Sequence, residues 1–201
     1  MTGRRALILA GTGLLAGVAE DLVRGGWHVV LPSRRYHPIA VPEQKQGLAA
    51  LRALRPRGHL PTTGNGQARP GRAIWVEAGW DRPRELAAKA EAALEGPADL
   101  LVAWVHEQYR RAVMGAVERL LMPRAPVVEV RGVGGPPVEP EPLLAAHPTQ
   151  LVMVGSVSDL GGNRPLAHAE ITEGVLEAVH RAIEGRAPSL HQVGQSRPLV
   201  R

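Results

Sequence analysis

Residues 6–31 read ALILAGTGLLAGVAEDLVRGGWHVVL, and the fold turns on this stretch. Ala6 to Ala10 is a short continuous apolar run that ends in glycine, the form of a strand buried on both faces. From Leu14 onward, Leu15, Val18, Ala19, Leu22 and Val23 recur at three- and four-residue spacing until Gly25-Gly26 stops the pattern. That spacing predicts a helix of about three turns. Trp27 to Leu31 then reads as a second strand. Strand, helix and strand inside about 30 residues is the length of a parallel crossover, since antiparallel neighbours need only a tight turn.

The same alternation continues along the chain. Ala73–Ala78 is predicted as a third strand, Ala98–Val105 as a fourth, Val127–Val130 as a fifth, Leu151–Val154 as a sixth and Leu190–Val193 as a short last one. Helices are predicted over Pro42–Leu54, Arg84–Leu94, His106–Met122 and Ala169–Ile183. In the third of these Ala112, Val113, Ala116, Val117, Leu120 and Leu121 form the inward stripe, and in the last Ile171, Val175, Val179 and Ile183 do. Two segments break the rhythm: 55–72, rich in Pro, Gly and Arg, and 132–150, which contains GVGGPPVEPEP. Both are expected to be loops, the first either a lid or an insertion without a role. Buried-type strands alternating with helices predict an α/β doubly wound parallel sheet, a Rossmann fold, in one domain spanning residues 1–201.

Composition narrows the function classes. The net charge of +5 comes from 22 Arg and two Lys scattered over the whole length, with only six Trp and Tyr and no Phe. A nucleic-acid binder concentrates positive charge on one face and interleaves aromatic rings, so nucleic acid is not an expected partner. Arg4-Arg5 ahead of an apolar run superficially resembles a secretion signal, but Gly11, Gly13 and Gly17 at turn spacing and the following strand argue against it. No apolar window reaches a membrane span, and a cytoplasmic location is expected. The chain has no Cys, which excludes thiol catalysis, and its eight His show no metal-ligand spacing.

The first turn carries Gly11-x-Gly13-x-x-Ala16 between a predicted strand and helix. In that setting the first glycine makes the tight turn, the second lets a pyrophosphate approach the backbone, and the third small residue lets the helix pack close. Gly11, Thr12, Gly13, Leu14 and Leu15 are therefore the candidate pyrophosphate contacts, at a helix N-terminus whose free N–H groups favour anions. After the second strand stands Pro32-Ser33-Arg34-Arg35, where an NAD site would place Asp or Glu on the ribose 2′-hydroxyl. A guanidinium instead binds a 2′-phosphate bidentately. Ser33, Arg34 and Arg35 thus favour NADP over NAD, against the plain alternative of a solvated Arg pair.

AGTGLLAGVAEDLVRGGWHVVLPSRR resembles the short-chain dehydrogenase/reductase family, in a small atypical branch, and the resemblance extends in patches to Leu100–His106, Leu151–Val157, Ala167–Val179 and His191–Gly194. It implies a sheet of order 3-2-1-4-5-6-7, a nicotinamide cofactor across the strand ends and, in an enzyme, a small carbonyl or alcohol substrate. A homo-oligomer is compatible with it. Catalysis in that family rests on a Tyr with a Lys four residues later, but this chain has only Tyr36 and Tyr109, followed at that spacing by Ala40 and Val113. The fourth strand ends in Trp104-Val105-His106 instead of the family's Asn-Ala-Gly.

His106 is the remaining catalytic candidate, since the end of a central strand faces the ligand crevice. It could donate a proton, hydrogen-bond the cofactor, or simply start a helix. Ser156, Ser158 and Asp159 after the sixth strand are weaker candidates for a substrate pocket. Two readings follow: an NADP-dependent oxidoreductase with an atypical active site, or a non-catalytic NADP-binding protein that senses the cofactor or holds a partner.

Overall fold

The computed structural model describes residues 3–10, 13–36, 71–132, 141–161 and 164–195. The strands are β1 (Arg5–Leu9), β2 (His28–Ser33), β3 (Arg72–Glu77), β4 (Leu100–Ala103), β5 (Val127–Gly132), β6 (Thr149–Val154) and β7 (Ser189–Val193). They form one seven-stranded sheet in the order β3-β2-β1-β4-β5-β6-β7, and every neighbouring pair is parallel. The order reverses between β1 and β4, which start the two wings of the sheet. That reversal opens a crevice at the C-terminal strand ends, where open α/β sheets bind ligands.

Four helices are described: α1 (Ala16–Arg24), α2 (Pro83–Leu94), α3 (Glu107–Val117) and α4 (His168–Ile183). The apolar stripes predicted from sequence settle which face each covers. Val18, Ala19, Leu22 and Val23 of α1 pack with Ile171, Val175, Ala178 and Val179 of α4 over Ala6, Ile8, Val102, Val128 and Val152. On the other face Leu86, Ala90 and Leu94 of α2 pack with Val113, Met114 and Val117 of α3 over Leu7, Leu9, Val30 and Leu101. Consecutive strand residues therefore serve opposite layers, and strands buried on both faces read as unbroken apolar runs.

Some boundaries differ from those read in the sequence. The fourth strand is only Leu100–Ala103, because Trp104 to His106 already turn outward to begin α3. The third helix ends at Val117 and a single 3-10 turn, Glu118–Leu120, replaces its expected last turns. Ala112, expected inward, is exposed, and the interior positions belong to Arg110, Val113, Met114 and Val117. α1 starts at Ala16 instead of Leu14, and Arg72, Gly132, Thr149 and Gln150 are strand residues at the rims of the two expected loops. The helix expected over Pro42–Leu54 lies outside the described residues, as does most of 55–72.

The connection from β5 to β6 has no helix among its described residues, 141–148. Leu144 instead plugs into the layer formed by α2 and α3, His147 Nδ1 donates to the Ala125 carbonyl at 2.8 Å, and Arg110 donates to the Glu141 carbonyl at 3.2 Å. These described residues form a strap held by side-chain anchors.

Candidate functional site

The crevice is built by three strand ends. β1 ends at Leu9, and Ala10 follows with φ 71°, a left-handed conformation that costs a non-glycine residue energy and redirects the chain sharply into the turn. Gly13 and Leu14 lie on the far side of that turn, both exposed, while Leu15 is buried beneath α1 and anchors the helix start. Gly11 and Thr12 lie outside the described residues. A Cβ placed on Gly13 would have no atom within 4 Å, so open space stands in front of this backbone. The first turn of α1 holds no acidic residue and no side chain caps it, although the Ala16 N–H donates to the Gly13 carbonyl at 3.3 Å, and the helix's positive end favours an anion.

β2 ends at Ser33, followed by Arg34 and Arg35, both exposed. The Ser33 hydroxyl donates to the Arg35 carbonyl at 2.6 Å and accepts from Trp75 Nε1 at 3.0 Å. It shapes the turn that carries the two arginines. Neither guanidinium has a hydrogen bond or ion pair among the described residues. A cleft of about 570 Å³ brings Gly13 and Leu14 together with Ser33, Arg34 and Arg35, and is closed on the β3 side by Ala78 and Trp80. Its size is that of a small-molecule pocket. Open space at Gly13, two guanidinium groups without a partner among the described residues and a helix start without carboxylates fit the phosphates of a dinucleotide.

A second cavity of about 940 Å³ shares Arg34, Ala78 and Trp80 with the cleft and runs on between the starts of α2 and α3. Its charged residues are mostly committed to one another: Glu85 accepts from Arg82 and Lys89, both at 2.8 Å, and Lys89 also donates to the Glu77 carbonyl at 2.9 Å. The Lys89 hydrogen bond, followed by the nearby positive charges, holds the Glu85 carboxyl below its usual range.

His106 lies in this cavity. It precedes α3, its carbonyl accepts from the Tyr109 and Arg110 N–H groups, and its imidazole makes no capping bond. The ring stands edge-on to Trp80 at 5.3 Å between centroids, and Tyr109 is tilted against the same indole at 6.3 Å. His106 therefore shares its cavity with Arg34, on the β3 side of the crevice.

The other polar candidates shape loops. Ser158 Oγ donates to Glu170, Asp159 accepts from the Gly194 N–H at 3.0 Å, and the Ser156 N–H donates to the Gln195 carbonyl at 2.9 Å. Glu170 also binds the Ala167 N–H and Arg164, and the Ser158 hydroxyl is the largest cause of a carboxyl held below its usual range. The two tyrosines stand apart from the β5–β6 side: Tyr36 follows β2 and packs edge-on to Trp75 at 5.5 Å, and Tyr109 belongs to α3. Among the described residues no group of three His, Asp or Glu side chains could hold a metal, and no helix is long and apolar enough to cross a membrane.

Ala78 and Trp80 were missed from sequence. The signal was present, because residues directly after strand three must flank the end of strand two once the order 3-2-1 is accepted.

No protein-family sequence model matches the chain, and no curated protein matches it in sequence. Solved structures do match it in shape. An NADH-dependent reductase, A1-R′, complexed with NAD superposes with a TM-score of 0.57 at 16% identity, over 96% of this chain and 95% of that one. A short-chain dehydrogenase/reductase from Serratia marcescens gives 0.57 at 12%, over 98% and 99%. A 3-oxoacyl-acyl-carrier-protein reductase from Brucella melitensis gives 0.54 at 14%, over 96% of each chain. The chain has the Rossmann fold of short-chain dehydrogenase/reductases, with the strand order that resemblance implied.

Proposed function

We propose that this chain binds NADP(H) in the cleft between β1, β2 and β3 and is an oxidoreductase whose active site lacks the Tyr-x-x-x-Lys pair. The carrying observation is the pair of guanidinium groups, Arg34 and Arg35, that have no partner among the described residues and line the same cleft as Gly13. A carboxylate there would select the ribose hydroxyl of NAD, whereas two guanidinium groups favour a 2′-phosphate. The pyrophosphate would lie on the Gly11–Leu15 turn, and the cofactor, once bound, supplies a hydride donor or acceptor. The substrate would be a small carbonyl or alcohol.

Titration of the purified protein with NADPH and NADH, followed by calorimetry, tests the cofactor. NADPH binds more tightly on this reading, and equal affinities would remove the 2′-phosphate assignment.

For proton transfer we propose His106, the ionisable residue that follows the central strand β4. Its replacement by Ala then lowers kcat by about 10² to 10⁴ on a carbonyl panel while the cofactor dissociation constant stays nearly unchanged. One observation favours the second reading, a non-catalytic NADP-binding sensor: His106 shares its cavity with Arg34 and packs on Trp80. That neighbourhood suits contact with the adenosine half of the cofactor better than the nicotinamide half. In that case the panel shows no NADPH turnover, and His106→Ala changes cofactor affinity alone.

A further inference from the structure

We infer that Trp80 is the surface on which the adenine ring of the cofactor stacks, with His106 and Tyr109 as the braces that hold the indole in position. This rests on the cofactor reading above, with His106 in its non-catalytic role, and assigns the part of the cleft that the phosphates leave unexplained. Gly13 and Leu14 face the pyrophosphate, and Arg34 and Arg35 face the ribose phosphate. The adenine is joined to that same ribose, so it lies within one sugar of the two arginines, and the cleft wall next to them on the β3 side is Ala78 and Trp80. Trp80 is the one aromatic ring among the described residues lining this cleft.

The geometry of the indole suits that use. It lines both cavities, whereas His106 and Tyr109 line only the larger one. Both neighbouring rings are steeply inclined to it, at 70° and 57°, so neither lies flat upon it as a base would. Trp80 is half-buried and packed against the α2–α3 core layer, which keeps the ring ordered before anything binds. A ring already fixed in place loses little entropy when a base stacks on it.

The test compares NADPH and adenosine 2′,5′-bisphosphate binding to the unmodified protein, Trp80→Ala and Trp80→Phe, by calorimetry and by tryptophan fluorescence. Base stacking on an aromatic ring predicts that Trp80→Ala weakens both ligands by the same factor, roughly tenfold or more, and that Trp80→Phe keeps most of the affinity. Quenching of tryptophan emission by adenosine 2′,5′-bisphosphate should be strong in the unmodified protein and largely lost in Trp80→Phe, although Trp27, Trp75 and Trp104 remain. Should Trp80→Ala fail to fold, the quenching and affinity of Trp80→Phe still decide the matter. Unchanged adenosine 2′,5′-bisphosphate affinity in Trp80→Ala, or unchanged quenching in Trp80→Phe, overturns the stacking assignment and leaves the cofactor reading standing. An unmodified protein that binds neither ligand overturns both.

Discussion

Arg110 of α3 and Glu129 of β5 form an ion pair in the protein interior, with their side chains only 10% and 3% exposed. Charged groups are seldom buried unless paired, and this pair sits beneath the described strap of the β5–β6 connection. The arginine also reaches the Glu141 carbonyl and lies 3.6 Å from Glu107, so one buried guanidinium ties β5, α3 and the strap together.

Breaking this pair from one side leaves an uncompensated buried charge. Arg110→Met or Glu129→Leu alone is expected to cost about 3–5 kcal/mol, while the double replacement comes closer to the unmodified protein than either single. Urea unfolding midpoints of the four proteins check this. Singles that cost nothing would mean water reaches the pair.

Arg34→Ala and Arg35→Ala together should narrow the preference for NADPH over NADH. A hydrogen bond to a charged group contributes about 1.5–3 kcal/mol, so the NADPH dissociation constant should rise by roughly 10- to 100-fold while that of NADH barely moves. Since neither guanidinium is tied to another described residue, melting temperature should stay close to the unmodified value.

Gly13 separates a steric role from an electrostatic one. No atom lies within 4 Å of a Cβ built there, so Gly13→Ala should fold normally. Gly13→Asp should also fold but lose NADPH and NADH alike, because its carboxylate would occupy the place of the pyrophosphate and repel it. Retained binding of both nucleotides in Gly13→Asp would place the pyrophosphate elsewhere.

His28 makes stability depend on pH. Its ring is buried on β2, and Nδ1 lies 3.0 Å from Arg72 Nη2 and accepts from it. Burial first, and then the Arg72 charge, lower its pKa from the usual 6.5, so the folded ring stays neutral where the unfolded one takes up a proton. The unfolded chain then binds more protons, and stability must fall as pH drops through 6.5. His191, lowered mainly by burial, adds in the same direction. Urea midpoints measured between about pH 7.5 and pH 5 should decline, and His28→Gln should flatten the decline. An unaltered slope in that variant would assign it to other groups.

How much was legible varies along the chain. α4 was readable to within a residue and α1 to within two, because Val18, Leu22, Ile171, Val175 and Val179 repeat on one face and little else competes with that pattern. The end of β4 was not. Trp104 and Val105 continue an apolar run without a break, yet Trp104 belongs to the exit toward α3, and periodicity cannot tell a strand from a buried turn. Arg110 was unreadable for the opposite reason: a charged residue on a helix is assigned to solvent until its partner, 19 residues away, is brought against it.

Residues 6–35 carried the decisive information by themselves, since a parallel crossover, its glycine turn and the Arg pair after the second strand all lie within one local segment. Local order also implied the sheet, because strands buried on both faces must be covered by the helices between them. What only the folded chain settled is which distant residues share a cavity. Trp80, His106 and Arg34 come from three separate strand ends, and they meet because β3, β2, β1 and β4 lie side by side in the sheet. Hydrogen-bonded registry between strands far apart in sequence brings those ends together, and no spacing within the sequence encodes it.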